Sequence, residues 1–385
     1  MFVVEYGDGS FQSPRVEPNR LLQTRRDVEG LLTEAYSVVI DTRRGLDAPA
    51  GLLDDPDTDH GIDDPPSGPD ADHAPLPEVA FGEEIHRARR AYNRALEFAN
   101  RLLGQVRTGK PLHPAEADPV AEDIVGTASR SRKCAASLAV VRSHGWITNH
   151  CVNVAFLAAA FGRHLGLPRA DVRSLVLAGL FHDIGKVRLP ASILNKPGKL
   201  TAEEYDVVKR HPVAGASILR DAGGVSVDVL TAVLEHHEYA DGSGYPRGIR
   251  LADMGPHAKV LAICDVYDAL ISYRTYRRAM SPLEALRCLH HDRDSRYCPE
   301  RLDAFVRFMG VYPVGSFVRL DDGRYAVVTD VGASVARPAV KVVYDRKFRS
   351  MRPEVLDLAD EAVGRRVAQC CNPRDFKVDI ELFLP

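Results

Sequence analysis

The sequence predicts a mainly helical protein with a small N-terminal α/β module and a short β extension near its C-terminus. Three observations predict this. From Glu83 to about Val106 apolar residues recur at threes and fours, the period of a helix that buries one face, and apolar helical runs recur from there to Asp265. Ahead of that stretch, Phe2 to Tyr6 and Ser37 to Asp41 read as strands. Behind it, Tyr312-Pro313-Val314-Gly315 opens a β-rich segment, where Ser316 to Leu320, Tyr325 to Asp330 and Val340 to Tyr344 read as strands. The turn Asp321-Asp322-Gly323 makes a hairpin of the first two. A chain of 385 residues has room for two or three domains around large cores.

Taken in order, residues 1–47 form the small module. Its first strand ends at the turn Gly7-Asp8-Gly9. Thr24 to Ala35 is the expected helix, with Thr24 as N-cap and Asp27 three residues on, a variant of the capping box. No catalytic residues cluster here, so docking or regulation is the expected role, through a homodimer contact or a signalling-protein partner. Residues 48–78 are rich in Asp, Pro, Gly and Ala and bury too little apolar surface to offset their ordering entropy, so an acidic disordered linker is expected. The helical domain is expected over 79–311, the β-rich extension over 312–360 and a tail over 361–385. Within the helical domain Ile85, Ala88, Tyr92, Leu96, Ala99 and Leu103 mark one face of a helix, with Arg87, Arg90 and Arg94 opposite. A second helical stretch runs from Ala117 to Val141.

Bulk composition narrows the function classes. Net charge is −3, but twelve acids fall between Arg44 and Arg87, where there is no Lys or Arg. The rest carries 50 basic residues against 41 acidic ones, a mildly basic surface that suits a phosphate-bearing ligand. No basic run is dense enough for a groove that holds a DNA or RNA polymer. No apolar run approaches the roughly 20 residues of a membrane helix, and the N-terminus lacks a signal-peptide pattern, so a cytoplasmic protein is expected. The seven cysteines include no Cys-x-x-Cys pair and read as buried free thiols.

The chemistry lies in five histidines and two aspartates. His150 sits among Val154, Leu157, Ala158 and Phe161. His182-Asp183 follows the apolar run 175–180, with Lys186 one turn on. His211-Pro212 opens a helix, His236-His237 sits in Leu234-Glu235-His236-His237-Glu238, and Asp265 lies in an apolar run. A single histidine on a packed helical face is usually a satisfied core residue. Together these side chains place many polar groups on apolar helices, a cost that a shared metal centre relieves. Nitrogen-rich ligation with a bridging carboxylate suits Fe, Mn or another first-row ion better than Ca or Mg. The lack of thiolates argues against structural zinc.

His182-Asp183 with Lys186, and above all the segment from His236-His237-Glu238 through Asp241-Gly242-Ser243-Gly244-Tyr245-Pro246, closely resemble the HD-GYP family of cyclic-di-GMP phosphodiesterases. The resemblance covers roughly residues 125–315, and residues 1–47 look like the N-terminal domain that often precedes it. It implies an HD-type helical bundle and a metal-dependent hydrolase that converts cyclic-di-GMP to pGpG, with GMP as a further product to test. Such an activity lowers the second messenger and biases a bacterium toward motility and away from biofilm.

Carried over by position, the resemblance implies two divalent ions, Fe as first expectation and Mn as second. One is held by His150, His182, Asp183 and Asp265, the other by His211, His236 and His237, with Asp183 bridging. Where some members place a third-metal Glu, this chain has Trp146. Two ions about 3.5–4 Å apart supply a hydroxide at neutral pH and neutralise phosphodiester charge. Asp183 and Lys186 are the implied catalytic residues. Gly242, Gly244, Tyr245, Asp268, Arg274 and Arg277 are the implied substrate contacts, although Thr275 replaces a usual Pro. Two readings compete with the phosphodiesterase: a non-catalytic receptor of the same fold, and a phosphohydrolase for nucleotides or a hybrid cyclic GMP-AMP.

Overall fold

A computed structural model describes residues 79–142, 147–196, 198–272, 279–331 and 336–384, together with the backbone of three strands nearer the N-terminus. The expected helix Thr24–Ala35, the expected linker, Trp146, Arg274 and Arg277 lie outside the described residues. The chain divides into two compact units, Met1–Pro69 and Asp70–Pro385. In the first, β1 (Phe2–Gly7) is the middle strand of an antiparallel sheet, between β2 (Arg20–Leu21) and β3 (Ser37–Asp41).

The second unit opens with α1 (Phe81–Arg107), which buries Ile85, Ala88, Tyr92, Ala99 and Leu103 as the periodicity predicts, with Leu96 packed at the margin. Its buried Glu84 accepts two hydrogen bonds from Arg130, at 2.8 and 2.9 Å. The single helix expected over 117–141 is instead two, α2 (Asp118–Arg130) and α3 (Arg132–Val141), after a 3-10 turn at Pro114–Ala117. Ser131 breaks it. Its backbone is extended and its hydroxyl accepts the Cys134 N–H, the arrangement of an N-cap. The Val79 N–H takes the freed Arg130 carbonyl at 2.8 Å.

Three apolar helices form the centre of the bundle: α4 (Ile147–His164), α5 (Arg169–Phe181) and, after the shorter α6 (Ala202–Val208), α7 (His211–Ala222) and α8 (Val227–Glu235), α9 (Pro256–Ile271). Helices apolar on most sides belong inside, and α4 is buried from His150 to Gly162. Gly179 of α5 lies directly on α4, where a Cβ would come within 2.7 Å of the Ala155 Cα. Gly185, in the 3-10 turn Ile184–Arg188, meets the start of α7 as closely: a Cβ there would overlap the His211 carbonyl oxygen and sit 2.5 Å from the Gly215 nitrogen. Main chain on main chain therefore sets the spacing between the segments that carry the histidines. The helices α10 (Pro282–His291) and α11 (Pro299–Met309) close the bundle.

Five antiparallel strands follow: β4 (Phe317–Leu320), β5 (Tyr325–Asp330), β6 (Ala339–Tyr344), β7 (Ser350–Asp357) and β8 (Val367–Cys371), in the order β7-β6-β5-β4-β8. The first three match expectation. β7 is exposed at most positions and carries no apolar alternation to betray it. The tail expected over 361–385 is a correction: β8 pairs with β4, Phe317 against Cys371, and Ile380 and Leu384 are buried in the sheet's core. Arg142 holds the Glu381 carboxylate bidentately at 2.7 and 3.0 Å. Among the described residues the cysteines are free thiols, and no helix is long and apolar enough to cross a membrane.

Candidate metal centre

The fold brings the seven expected side chains to one place. α4 supplies His150, the end of α5 supplies His182 and Asp183, α7 opens on His211, the end of α8 supplies His236 and His237, and α9 supplies Asp265. All are buried except His237, which is half-buried. Two triads emerge in which one ligating atom of each residue lies within 4.8 Å of the others: His150, His182 and Asp183, and His211, His236 and His237. Asp183 joins them, with its Oδ1 3.3 Å from His211 Nε2 and its Oδ2 3.5 Å from His182 Nε2. Asp265 also reaches both, at 2.9 Å from His150 Nε2 and 3.7 Å from His237 Nδ1.

The protons on these rings are decided by the groups behind them. Nδ1–H of His182, His211 and His236 donates to the carbonyl three residues back, of Gly179, Val208 and Val233, at 2.9, 2.7 and 2.8 Å. A carbonyl only accepts, so Nδ1 carries a proton in each of these rings and Nε2 is the atom turned inward. Burial, with Lys186 next, pushes His211 down to about 3, and burial pushes His237 down to about 4. Burial, followed by His237, holds His236 well below the usual histidine value. Nε2 of His211 and of His236 thus face each other at 3.3 Å with no proton between them. His182 Nε2 and Asp183 Oδ1 are buried without a hydrogen-bond partner among the described residues. Such a set of converging lone pairs fits a cation and little else, and the imidazole and carboxylate donors suit first-row metals.

Asp183 keeps its charge. Burial raises its pKa, but Lys186, whose Nζ lies 2.6 Å from Oδ2, and then His182 hold it well below the carboxylate range. His150 differs from the other rings because carboxylates face both nitrogens. Burial lowers its pKa, yet Asp265 and then Asp268 outweigh that and push it to about 9.

Asp268 is a correction. Expected to touch substrate, it is fully buried behind His150, accepting from Nδ1 at 2.6 Å, from Asn153 Nδ2 at 2.9 Å and from the Ser272 hydroxyl at 3.3 Å. Asn153 in turn accepts from the Tyr92 hydroxyl at 2.7 Å, so a polar chain runs from α1 through α4 to α9. Asp268 thus fixes the orientation of the His150 ring from behind.

The Gly-Tyr-Pro loop is organised by two buried glutamates that flank the His-His pair. Glu238 accepts from the backbone N–H of Arg247 at 2.7 Å and of Ile249 at 3.2 Å. Glu235 accepts from Gly255 N–H at 2.7 Å and pairs with Arg247. Gly242 and Gly244, the implied substrate contacts, give the loop the close backbone approach a tight turn needs. Gly242 has φ +83°, and a Cβ on Gly244 would sit 2.6 Å from the Glu238 carbonyl carbon. Tyr245 does border the centre, its ring 4.7 Å from that of His237. Asn153, Glu235 and Glu238 escaped sequence reading. The one available signal was the spacing of Asp265 and Asp268, which puts both on one helical face.

Comparison with known proteins agrees with this geometry. Residues 129–300 match a family described as HD domain, and residues 1–117 match a domain of unknown function (DUF3391). A cyclic di-GMP phosphodiesterase of Pseudomonas aeruginosa is 36% identical over 371 residues, 92% of this chain and 86% of that protein. A cyclic di-GMP phosphodiesterase response regulator of Xanthomonas campestris pv. campestris is 40% identical over 153 residues, 39% of this chain and 40% of that protein. A 3'3'-cGAMP-specific phosphodiesterase of Vibrio cholerae is 41% identical over 143 residues, 37% of this chain and 33% of that protein. With its paired His-Asp and His-His segments around one centre and a relative of this kind matched over 86% of its length, the chain belongs to the HD-GYP family of metal-dependent cyclic-di-GMP phosphodiesterases.

Proposed function

We propose that this chain hydrolyses cyclic di-GMP to pGpG at a centre of two divalent ions, Fe or Mn. His150, His182, Asp183 and Asp265 would hold one ion, and His211, His236, His237 and the shared Asp183 the other. The observation that carries the reading is the convergence of imidazole Nε2 atoms on a charged Asp183, with His182 Nε2 and Asp183 Oδ1 buried without a hydrogen-bond partner among the described residues. When bound, two such ions supply an activated water and offset negative charge on a phosphodiester. The chain's own residues supply the rest. Lys186, 17% exposed beside Asp183, holds its ammonium at the mouth of the centre, where a phosphate oxygen gains a charge-assisted contact. Tyr245 offers a ring face for a base beside His237.

The test is hydrolysis by protein purified without oxygen, with metal content measured on the same sample. About two Fe or Mn per chain together with pGpG supports the reading. Metal-loaded protein that binds the dinucleotide without cutting it overturns it in favour of a receptor. The similarity to a 3'3'-cGAMP-specific enzyme supports a second reading, a hybrid cyclic GMP-AMP as the preferred substrate. The ratio of kcat/KM for the two cyclic dinucleotides separates them.

A further inference from the structure

A cyclic dinucleotide carries two phosphodiester anions, and a centre that engages one leaves the other charge outside it. Beside the centre lies an open cleft of about 700 Å³, within the size range of small-ligand sites. Its lining includes Arg188, Lys209, Arg210, Val213, Ser217 and Tyr245. Tyr245 connects the two places: its ring is 4.7 Å from His237 and 6.3 Å from Tyr205. The basic residues are anchored to the centre's own elements. Arg188 ends the 3-10 turn that carries Lys186, and Arg210 immediately precedes His211.

The cations are not equivalent. Lys209 is engaged, with its Nζ 2.5 Å from Asp206, the one carboxylate in the cleft among the described residues, and 5.4 Å from the Tyr205 ring centroid. Arg188 and Arg210 are exposed and make no ion pair among the described residues. Val213 of the cleft leaves 50% of its surface open, and Tyr205, whose ring meets the lining residues Tyr245 and Lys209, leaves 45%, an apolar shelf where a base can lie. Unpaired guanidinium forks match phosphate oxygens bidentately.

We propose that this cleft receives the half of the cyclic dinucleotide that is not being cut, with Arg188 and Arg210 gripping its second phosphate and the Tyr205–Tyr245–Val213 surface its base. The inference rests on the cyclic-dinucleotide reading above. It makes the two arginines specificity residues that separate a dinucleotide from a simple phosphodiester.

The experiment compares the metal-loaded full chain with the Arg188→Ala/Arg210→Ala variant on cyclic di-GMP and on bis(4-nitrophenyl) phosphate, a diester with a single phosphate. The expected result is a KM for cyclic di-GMP raised about tenfold or more. The kcat/KM ratio of cyclic di-GMP to the small diester falls by the same factor, and metal content is retained. The Arg188→Lys/Arg210→Lys variant, which keeps charge without the fork, falls between. An unchanged ratio, or an equal loss on both substrates, overturns the proposal. If the unmutated chain cleaves the small diester but no cyclic dinucleotide, the functional reading fails and the cleft assignment falls with it. That outcome is distinct from a turning-over enzyme whose variant keeps its ratio.

Discussion

Replacing Asp268 by Asn tests whether the centre is built from behind. The change keeps the shape of a fully buried side chain and removes its charge. Its Oδ1 can still accept from Asn153 Nδ2, the 2.9 Å contact. The 2.6 Å contact with His150 Nδ1 changes character. An amide NH₂ placed there donates, so the neutral ring that a cation requires would carry its one proton on Nε2, the atom that faces Asp265 at 2.9 Å and the interior of the centre. The lone pair meant for a cation is then blocked. A hydrogen bond to a charged group is worth about 1.5–3 kcal/mol, and about 1.4 kcal/mol corresponds to tenfold. Metal affinity at this position should therefore fall by about ten- to a hundredfold, the usual cost of losing such an outer support. The assay is competition with a chromophoric chelator, followed by kcat and KM at saturating metal. Affinity within about twofold of the unmutated chain, with only KM for the dinucleotide raised, would refute the argument and return Asp268 to the substrate.

Other substitutions probe other parts of the centre. Lys186→Ala should lower kcat about a hundredfold, as loss of one preorganised charge contact does, while metal analysis still finds the ions; metal loss would make Lys186 a structural partner of Asp183 alone. Gly185→Ala forces a Cβ against the His211 carbonyl, so thermal unfolding should show about 1–3 kcal/mol of destabilisation together with weaker metal binding. A melting temperature unchanged within a degree or so would mean that the contact yields without cost. Glu238→Gln removes the charge that holds Arg247 and Ile249 N–H, and should raise KM severalfold with metal content intact. Stripping the ions with a chelator should lower the melting temperature and reloading should restore it, by about 2.7 kcal/mol of stabilisation for each ion bound when free metal is a hundredfold above Kd. Calorimetric traces that coincide would deny that the native state alone binds metal.

The sequence was most legible where one residue type carries one job. The histidines and aspartates of the centre stand out because imidazoles and carboxylates are expensive on apolar helices, and the His-His-Glu through Gly-Tyr-Pro segment is long enough to be specific. The apolar period placed α1 and the first strands of the C-terminal sheet. Ser131 was illegible because a serine inside a helical run is neutral until its neighbours take up the broken hydrogen bonds, as Val79 does here. β7 and β8 were illegible because one is exposed on both faces and the other is ordered by pairing with a distant strand. Asp268 was misplaced for a related reason. One helix presents Asp265 and Asp268 a turn apart, and only the position of His150 between them tells which carboxylate looks inward.

The hydrogen bonds behind the histidines also set where this centre is open to heritable damage. His182, His211 and His236 lean on carbonyls of their own helical turns, and no codon change deletes a carbonyl. Mutational drift can remove those rings but cannot turn them. His150 alone among these four leans on a side chain, and that side chain leans on Asn153 and Ser272. Descendants that keep all seven candidate ligands but hold one histidine turned from its place should therefore carry the lesion along α4 and α9.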